Sequence, residues 1–199
     1  MLGAGTSGSG FWFLLAGYLL VGAFIIMERA LRRGAAAKTL QRGSRDRGST
    51  LLIGVAFGAG LVLPIIMDGL GIGVPFPLGL TAGLPALAVM VTGIGLRVWA
   101  ASSLGRYYTR TLVTTSGQRV VSTGPYAKVR HPGYLGDILL WSGFGVLSGN
   151  LVVAILFPVV FAAVYLYRIS VEEGMLVDAL GDDYVEYQRR TRRLIPLIY

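Results

Sequence analysis

The sequence predicts an all-α polytopic membrane protein with about five transmembrane helices, a C-terminal helical hairpin and cytoplasmic amphipathic helices. Of its 199 residues 54% are hydrophobic and only 14% are charged, whereas a soluble domain usually carries about 25% charged residues. Apolar runs close to the length of about 20 residues that crosses a bilayer recur along the chain. Of the 18 lysines and arginines, all but Arg97 lie outside these runs.

Five apolar runs are the predicted spans: residues 11–27, 51–67, 81–104, 134–147 and 151–167. The first run has no basic segment before it and no small-residue cleavage site after it, so we interpret it as a retained span rather than a signal peptide. The last two runs flank Ser148, Gly149 and Asn150, which predicts a tight hairpin. The expected organisation is a flexible tail (1–10), three transmembrane helices (11–104) and a cofactor-binding catalytic module (105–199).

Positive charge alternates along the chain and predicts the orientation. Three basic blocks, within residues 29–47, 97–130 and 168–193, are separated by connections without lysine or arginine. Five spans would bring the basic blocks to one side, which the positive-inside rule assigns to the cytoplasm. We therefore expect a multi-pass protein of the cell membrane with its N-terminus outside and its C-terminus cytoplasmic. We expect no nucleic-acid partner, because most of the aromatic residues lie in the spans rather than among the basic runs.

Polar residues concentrate just before the predicted hairpin. Residues 124–136 contain two prolines, two tyrosines, two cations and His131, the single histidine of the chain. Pro132 restricts His131 to extended backbone geometry, so the histidine is presented before the span begins. We predict that His131 contacts a ligand. With one histidine and no cysteine, the chain lacks the usual zinc ligand sets, and no metal site is predicted.

A second concentration follows the hairpin. Arg168 and Glu172 are four residues apart and would share one face of a continuous helix. They could form an ordinary surface pair. However, they lie where the last span leaves the membrane, and ionisable groups at that depth are costly unless they are paired or line a cavity. We therefore interpret this pair as part of a functional site.

The two clusters together resemble the isoprenylcysteine carboxyl methyltransferase family and its bacterial relatives, a group of integral-membrane methyltransferases. The resemblance covers about residues 105–196. It is carried by rare elements in a fixed order: Gly124-Pro125-Tyr126, Arg130-His131-Pro132, Tyr134, Gly136, Arg168, Glu172-Glu173, Leu176, Gly181, Tyr184, Tyr187 and Pro196.

This resemblance implies a site for S-adenosyl-L-methionine at the cytoplasmic membrane face. Arg168 would face the reacting centre, and Glu172 would hold the ribose or amino group of the cofactor and act in catalysis. Which of Glu172 and Glu173 contacts the cofactor is left open. The other implied cofactor-binding residues are Gln118, Val120, Tyr126, His131, Pro132, Tyr134 and Gly136, of which Gln118 and Val120 belong to the segment covering the adenosine side.

The implied reaction is methyl transfer to a lipophilic acceptor, the carboxylate of a prenylcysteine or a similar isoprenoid. The expected partners are a lipophilic or prenylated substrate and membrane lipids. Three alternatives stay open: a phospholipid N-methyltransferase, an NADPH-dependent membrane reductase and a non-enzymatic membrane scaffold. The sequence leaves the natural acceptor and the oligomeric state undecided.

Overall fold

The computed structural model describes residues 8–31, 46–105 and 120–195. Within these ranges the regular secondary structure is helical. Two isolated β-bridges are also present, between Pro75 and Asn150 and between Val129 and Arg192. The prediction of an all-α protein is confirmed. The elements are α1 (Gly8–Leu31), α2 (Ser49–Gly69), α3 (Leu80–Leu104), a 3₁₀ turn (Gly124–Ala127), α4 (Pro132–Leu147), α5 (Leu151–Leu180) and α6 (Asp182–Arg190).

Four of these helices, α1, α2, α3 and α5, are long and apolar enough to cross a membrane. The prediction of a multi-pass membrane protein is therefore confirmed. Helix α4 has 16 residues, which corresponds to about 24 Å at 1.5 Å per residue. It is thus shorter than the roughly 30 Å hydrocarbon core. Helix α5 has 30 residues and continues to Leu180, well beyond the predicted end at 167, because its polar C-terminal part remains helical.

The connections without lysine or arginine meet at one end of the helices. Asn150 accepts a hydrogen bond from the backbone N–H of Val152, which caps α5, and its side-chain amide donates to the carbonyl of Ile72 at 2.8 Å. At the start of α1, the Ser9 hydroxyl donates to the carbonyl of Leu78 at 3.3 Å. These contacts bring the hairpin turn, the 70–79 connection and the beginning of α1 together. We call this the neutral end.

An aromatic core fills the space between α4 and α5. Trp141, Phe144, Phe157 and Phe161 are each no more than 3% exposed. The Trp141 ring stacks on Phe161 with centroids 4.6 Å apart and an interplanar angle of 6°. Burial of such large side chains holds the hairpin together and fixes the direction in which α5 leaves the core toward the opposite end.

Helices α3 and α4 approach so closely that a side chain would not fit at their crossing. A Cβ atom on Gly136 would lie 2.6 Å from the carbonyl oxygen of Gly93 and 3.1 Å from the backbone nitrogen of Arg97. Small residues commonly permit such approach between membrane helices. The contact fixes the N-terminal end of α4, where the polar residues of the candidate site begin.

Candidate active site

The end opposite the neutral end, which we call the basic end, contains a buried carboxylate surrounded by basic side chains. Glu173 on α5 is 4% exposed. Its Oε1 accepts from Arg130 Nε at 2.6 Å and lies 3.3 Å from His131 Nε2, while its Oε2 accepts from Arg193 Nε at 3.0 Å. We call these four residues the Glu173 clamp. It fastens the connection before α4 to α5 and to the segment after α6.

The backbone reinforces the same attachment. The Arg130 N–H donates to the carbonyl of Arg192 at 2.7 Å, and the Arg192 N–H donates to the carbonyl of Lys128 at 3.0 Å. Nearby, the Tyr187 hydroxyl donates to the carbonyl of Tyr126 at 2.7 Å. Burial raises the pKa of Tyr187 to about 12, despite an opposing effect of Arg130, and keeps this hydroxyl protonated as a donor.

A second group of contacts runs from Arg168 to Glu172 on the same helix. The Tyr134 hydroxyl donates to Glu172 Oε2 at 2.5 Å and accepts from Arg168 Nε at 3.3 Å. Arg168 is 2% exposed, whereas Tyr134 and Glu172 are half-buried. These hydrogen bonds therefore connect the buried guanidinium of Arg168, through Tyr134, to the carboxylate of Glu172, which a ligand can reach.

The guanidinium of Arg168 is anchored at the start of α2. Its Nη1 lies 2.9 Å from Asp46 Oδ1, 2.8 Å from Ser49 Oγ and 2.9 Å from Thr50 Oγ1. Burial raises the pKa of Asp46, but hydrogen bonds from Thr50 and Ser49 and the charge of Arg168 outweigh it, so the pKa is below its ordinary value. Asp46 is thus a carboxylate at neutral pH. We call Asp46, Ser49, Thr50, Arg168, Tyr134 and Glu172 the Arg168 chain.

His131 touches both groups. Besides its contact with Glu173, its ring stacks on Tyr134 with centroids 5.5 Å apart and an interplanar angle of 3°. As predicted, it precedes its helix: it is the N-cap residue of α4, whose first residue is Pro132. His131 is 6% exposed, so it forms a wall between the clamp and the chain.

Beneath Tyr134 lies a layer of charge inside the helix bundle. Tyr134 stacks on Tyr165 at 4.9 Å, and the Tyr165 hydroxyl donates to Asp137 Oδ2 at 2.5 Å. Arg97 lies 3.3 Å from the same oxygen of Asp137 through Nη1 and 2.8 Å from Glu28 Oε1 through Nε. Helices α1, α3, α4 and α5 all contribute to this layer, which supports the floor of the site.

Most of the site residues expected from the sequence meet at the basic end. His131, Tyr134, Glu172 and Glu173 are in mutual contact, directly or through one neighbour, and Tyr126 is buried beside α6. Gly136 lies at the crossing of α3 and α4, where close packing also accounts for a glycine. Val120 is half-buried. Gln118 lies outside the described residues.

Sequence reasoning missed the partners that come from other helices. Arg168 was expected to pair with Glu172, one turn away; in the structure its ion pair is with Asp46, 122 residues earlier. Signals existed: Asp46 is an acid within a basic block just before a span, and Arg97 is a charge inside a span, which requires a partner at that depth. Neither signal identifies the residue that pairs with Asp46 or Arg97, because the pairing depends on how the helices pack.

Comparison with known proteins shows which family the segment around the site resembles. Residues 86–178 match the family model described as the isoprenylcysteine carboxyl methyltransferase (ICMT) family. The match covers slightly less than half of the chain and shows that this segment is similar to that family. The predicted family resemblance is thereby confirmed, and the match includes α4, most of α5, the residues His131, Tyr134 and Glu172, and the half-buried Arg97.

Two curated relatives show how far the likeness extends. The chain is 34% identical over 115 residues to the protein-S-isoprenylcysteine O-methyltransferase of Schizosaccharomyces pombe, covering 57% of this chain and 49% of that protein. It is 32% identical over 120 residues to the cobalt-zinc-cadmium resistance protein CzcN of Cupriavidus metallidurans, covering 60% and 50%. The matched region therefore spans about half the length of each.

The fold extends the likeness beyond the matched segment. The structure of the eukaryotic intramembrane Ras methyltransferase ICMT superposes with a TM-score of 0.57 at 20% identity, covering 94% of this chain and 63% of that one. At this identity the likeness shows a shared fold. The described helices therefore share the overall fold of that structure.

Proposed function

We propose that this protein is an S-adenosyl-L-methionine-dependent methyltransferase acting at the cytoplasmic membrane face on a lipophilic acceptor, the carboxylate of a prenylcysteine or a similar isoprenoid. The observation that carries the proposal is the meeting of two clusters distant in sequence. Tyr134 and Glu172 are half-buried beside the buried Arg168, within the ICMT-matched segment. The catalytic module is residues 105–199.

The residues at the basic end fit the proposed cofactor. S-Adenosyl-L-methionine carries a sulfonium cation, an α-amino group, a carboxylate and ribose hydroxyls. The half-exposed carboxylate of Glu172 suits the amino group or the ribose, both of which donate hydrogen bonds. The rings of Tyr134 and His131, which stack on each other, would form part of the wall beside the cofactor. Tyr126, Pro132 and Val120 would complete the wall, with Gln118 on the adenosine side.

The proposed role of Arg168 is to orient the acceptor carboxylate. When bound, the cofactor supplies a methyl group that moves to an acceptor oxygen while the bonding electron pair stays on sulfur. A carboxylate nucleophile needs no general base. It needs a fixed cation, and a guanidinium can hold it through charge-assisted hydrogen bonds. Because nucleophile and sulfonium both lose charge as they meet, alignment and exclusion of water contribute most to the rate.

The proposed cell-membrane orientation places the basic end in the cytoplasm. Asp46, Lys128 and Arg192 lie at the basic end through their contacts with Arg168 and with one another. These contacts support the proposal that the three basic blocks share a side, which the positive-inside rule would assign to the cytoplasm. Reporter tags near residue 44 and at the C-terminus are expected to report cytoplasm, and a tag at Gly71 the outside. A cytoplasmic signal at Gly71 would contradict this topology.

Ligand binding by detergent-solubilised protein tests the function. Calorimetry is expected to show binding of S-adenosylhomocysteine and none of NADPH. A separate assay with methyl-labelled S-adenosyl-L-methionine is expected to show transfer of the label to N-acetyl-farnesylcysteine. Binding of NADPH alone would favour a membrane reductase, and binding of neither a scaffold. Binding of S-adenosylhomocysteine with transfer only to a phospholipid amine would favour the N-methyltransferase.

A further inference from the structure

The start of α2 holds a buried carboxylate that the proposed reaction does not itself use. The side chain of Asp46 is 2% exposed and that of its partner Arg168 is 3% exposed. The Ser49 and Thr50 hydroxyls both donate to Asp46 Oδ1 at 2.8 Å, and both hydroxyl oxygens also lie within 3 Å of Arg168 Nη1. Asp46 is therefore the centre of a compact socket for one edge of the guanidinium.

The socket is fixed to its helix as well as to the arginine. The backbone N–H of Thr50 lies 3.3 Å from both carboxylate oxygens of Asp46, and the Ser49 N–H donates to the Asp46 carbonyl at 2.9 Å. A carboxylate at a helix N-terminus is stabilised by the unpaired N–H groups of the first turn. The position of Asp46 is thus set by α2, independently of Arg168.

The socket and the reachable end of the site are joined by one guanidinium. Nη1 lies in the socket, while Nε of the same planar group donates to the Tyr134 hydroxyl, which in turn donates to Glu172. A planar guanidinium held at one edge has its other edge oriented as well. The orientation of the Arg168 side chain toward Tyr134 therefore depends on a residue outside the ICMT-matched segment, which begins at residue 86.

We propose that Asp46, supported by Ser49 and Thr50, is a positioning residue that orients the Arg168 guanidinium for the acceptor carboxylate. This inference rests on the proposed function. It assigns to α2, which carries no family signature, a part in the reaction: Asp46 touches neither donor nor acceptor and acts only through Arg168. Loss of the carboxylate should slow methyl transfer while leaving the binding of the donor intact.

The test compares two aspartates at opposite ends of α2. Asp46→Asn keeps an oxygen acceptor for Ser49 and Thr50 but removes the charge that orients Arg168. Asp68→Asn changes an exposed residue at the neutral end of the same helix and serves as the matched control. Steady-state transfer to N-acetyl-farnesylcysteine should show kcat lowered by about tenfold for Asp46→Asn, with S-adenosylhomocysteine affinity within about twofold of wild type. Asp68→Asn should match wild type in both.

A double-mutant cycle separates positioning from general damage. If Asp46 acts through Arg168, adding Asp46→Asn to Arg168→Lys should slow transfer by less than about threefold more, because residues acting as a unit are non-additive. Additive losses, an unchanged kcat in Asp46→Asn, or equal losses of rate and cofactor affinity would each overturn the inference. If Asp46→Asn does not fold, Thr50→Val takes its place, with a kcat loss of about two- to fivefold expected. A wild type inactive toward every acceptor would overturn the proposed function and this inference together, whereas an active wild type with an additive cycle would overturn the inference alone.

Discussion

The Glu173 clamp and the Arg168 chain begin at neighbouring residues of α5 and are built differently. Glu173 and Glu172 are about 100° apart around the helix, so they face different partners. Both oxygens of Glu173 are occupied by basic side chains, whereas Glu172 is half-buried and bonded to the Tyr134 hydroxyl. A carboxylate enclosed by cations serves to fasten segments together. A carboxylate that a ligand can reach is suited to binding, which favours Glu172 as the cofactor ligand.

The largest expected effect is on stability, in the clamp. Glu173→Ala leaves Arg130 buried without its carboxylate, and breaking a buried ion pair costs about 3–5 kcal/mol. We expect unfolding in detergent to show a loss of this size. Glu186→Ala is the control: Glu186 pairs with Arg189 and Arg190 on the exposed face of α6, where ion pairs contribute about 0–1 kcal/mol. Equal stability of the two variants would contradict the structural role of the clamp.

The second-largest expected effect is on the rate of methyl transfer, and it concerns the Arg168 chain. Arg168→Lys keeps a positive charge beside Asp46. It removes the planar guanidinium that can form hydrogen bonds to the socket and to Tyr134 at the same time. One charge-assisted hydrogen bond is worth about 1.5–3 kcal/mol, so methyl transfer is expected to fall by about tenfold or more. Folding and S-adenosylhomocysteine binding should be retained.

Two results would count against the assignment of Arg168 to the acceptor. Full activity of the Lys variant would show that the fork geometry is not required. A loss of cofactor affinity equal to the loss of rate would move Arg168 to the donor side of the site. Asp68→Asn, at the opposite end of α2, should leave both quantities unchanged and controls for general effects of substitution.

The contrast between clamp and chain also shows how much of this site could be predicted from the sequence. Hydropathy is local, so the apolar runs predicted the helices, and Pro132 predicted that His131 precedes α4. The family resemblance identified Glu172 and Glu173 as a pair but left their roles open. Their roles depend on Arg130, Arg193 and Tyr134, which are distant in the chain.

Packing between helices was the part that local patterns could not supply. Asp46 and Arg168 are separated by 122 residues, and their contact depends on α2 lying against α5. The same holds for the pair of Glu28 and Arg97. The length of α4 was predicted well, at 134–147 against Pro132–Leu147. The apolar run of α5 ended at 167, whereas the helix continues to Leu180, because hydropathy falls where the helix leaves the apolar core.

The smallest expected effect is on cofactor affinity. It tests whether the Glu173 clamp and the Arg168 chain have separate roles. Glu172→Ala removes the reachable carboxylate, and we expect weaker S-adenosylhomocysteine binding by about three- to tenfold, which corresponds to about 0.7–1.4 kcal/mol, the net value of a typical hydrogen bond. Because Glu173 keeps its partners, the unfolding midpoint should stay close to wild type. His131→Ala should change both quantities, since its ring stacks on Tyr134 and its Nε2 contacts Glu173.

Calorimetry and thermal unfolding on the same preparations measure the two quantities side by side. Lys128→Ala is the control, an exposed cation in the same connection as His131, and it should leave both unchanged. If Glu172→Ala lowered stability as much as Glu173→Ala, the Arg168 chain and the Glu173 clamp would be one structural unit. Glu172 would then lose its assignment as a residue that binds the cofactor. If His131→Ala weakened binding without affecting stability, the histidine would belong to the ligand site alone, and the clamp would depend on Arg130 and Arg193.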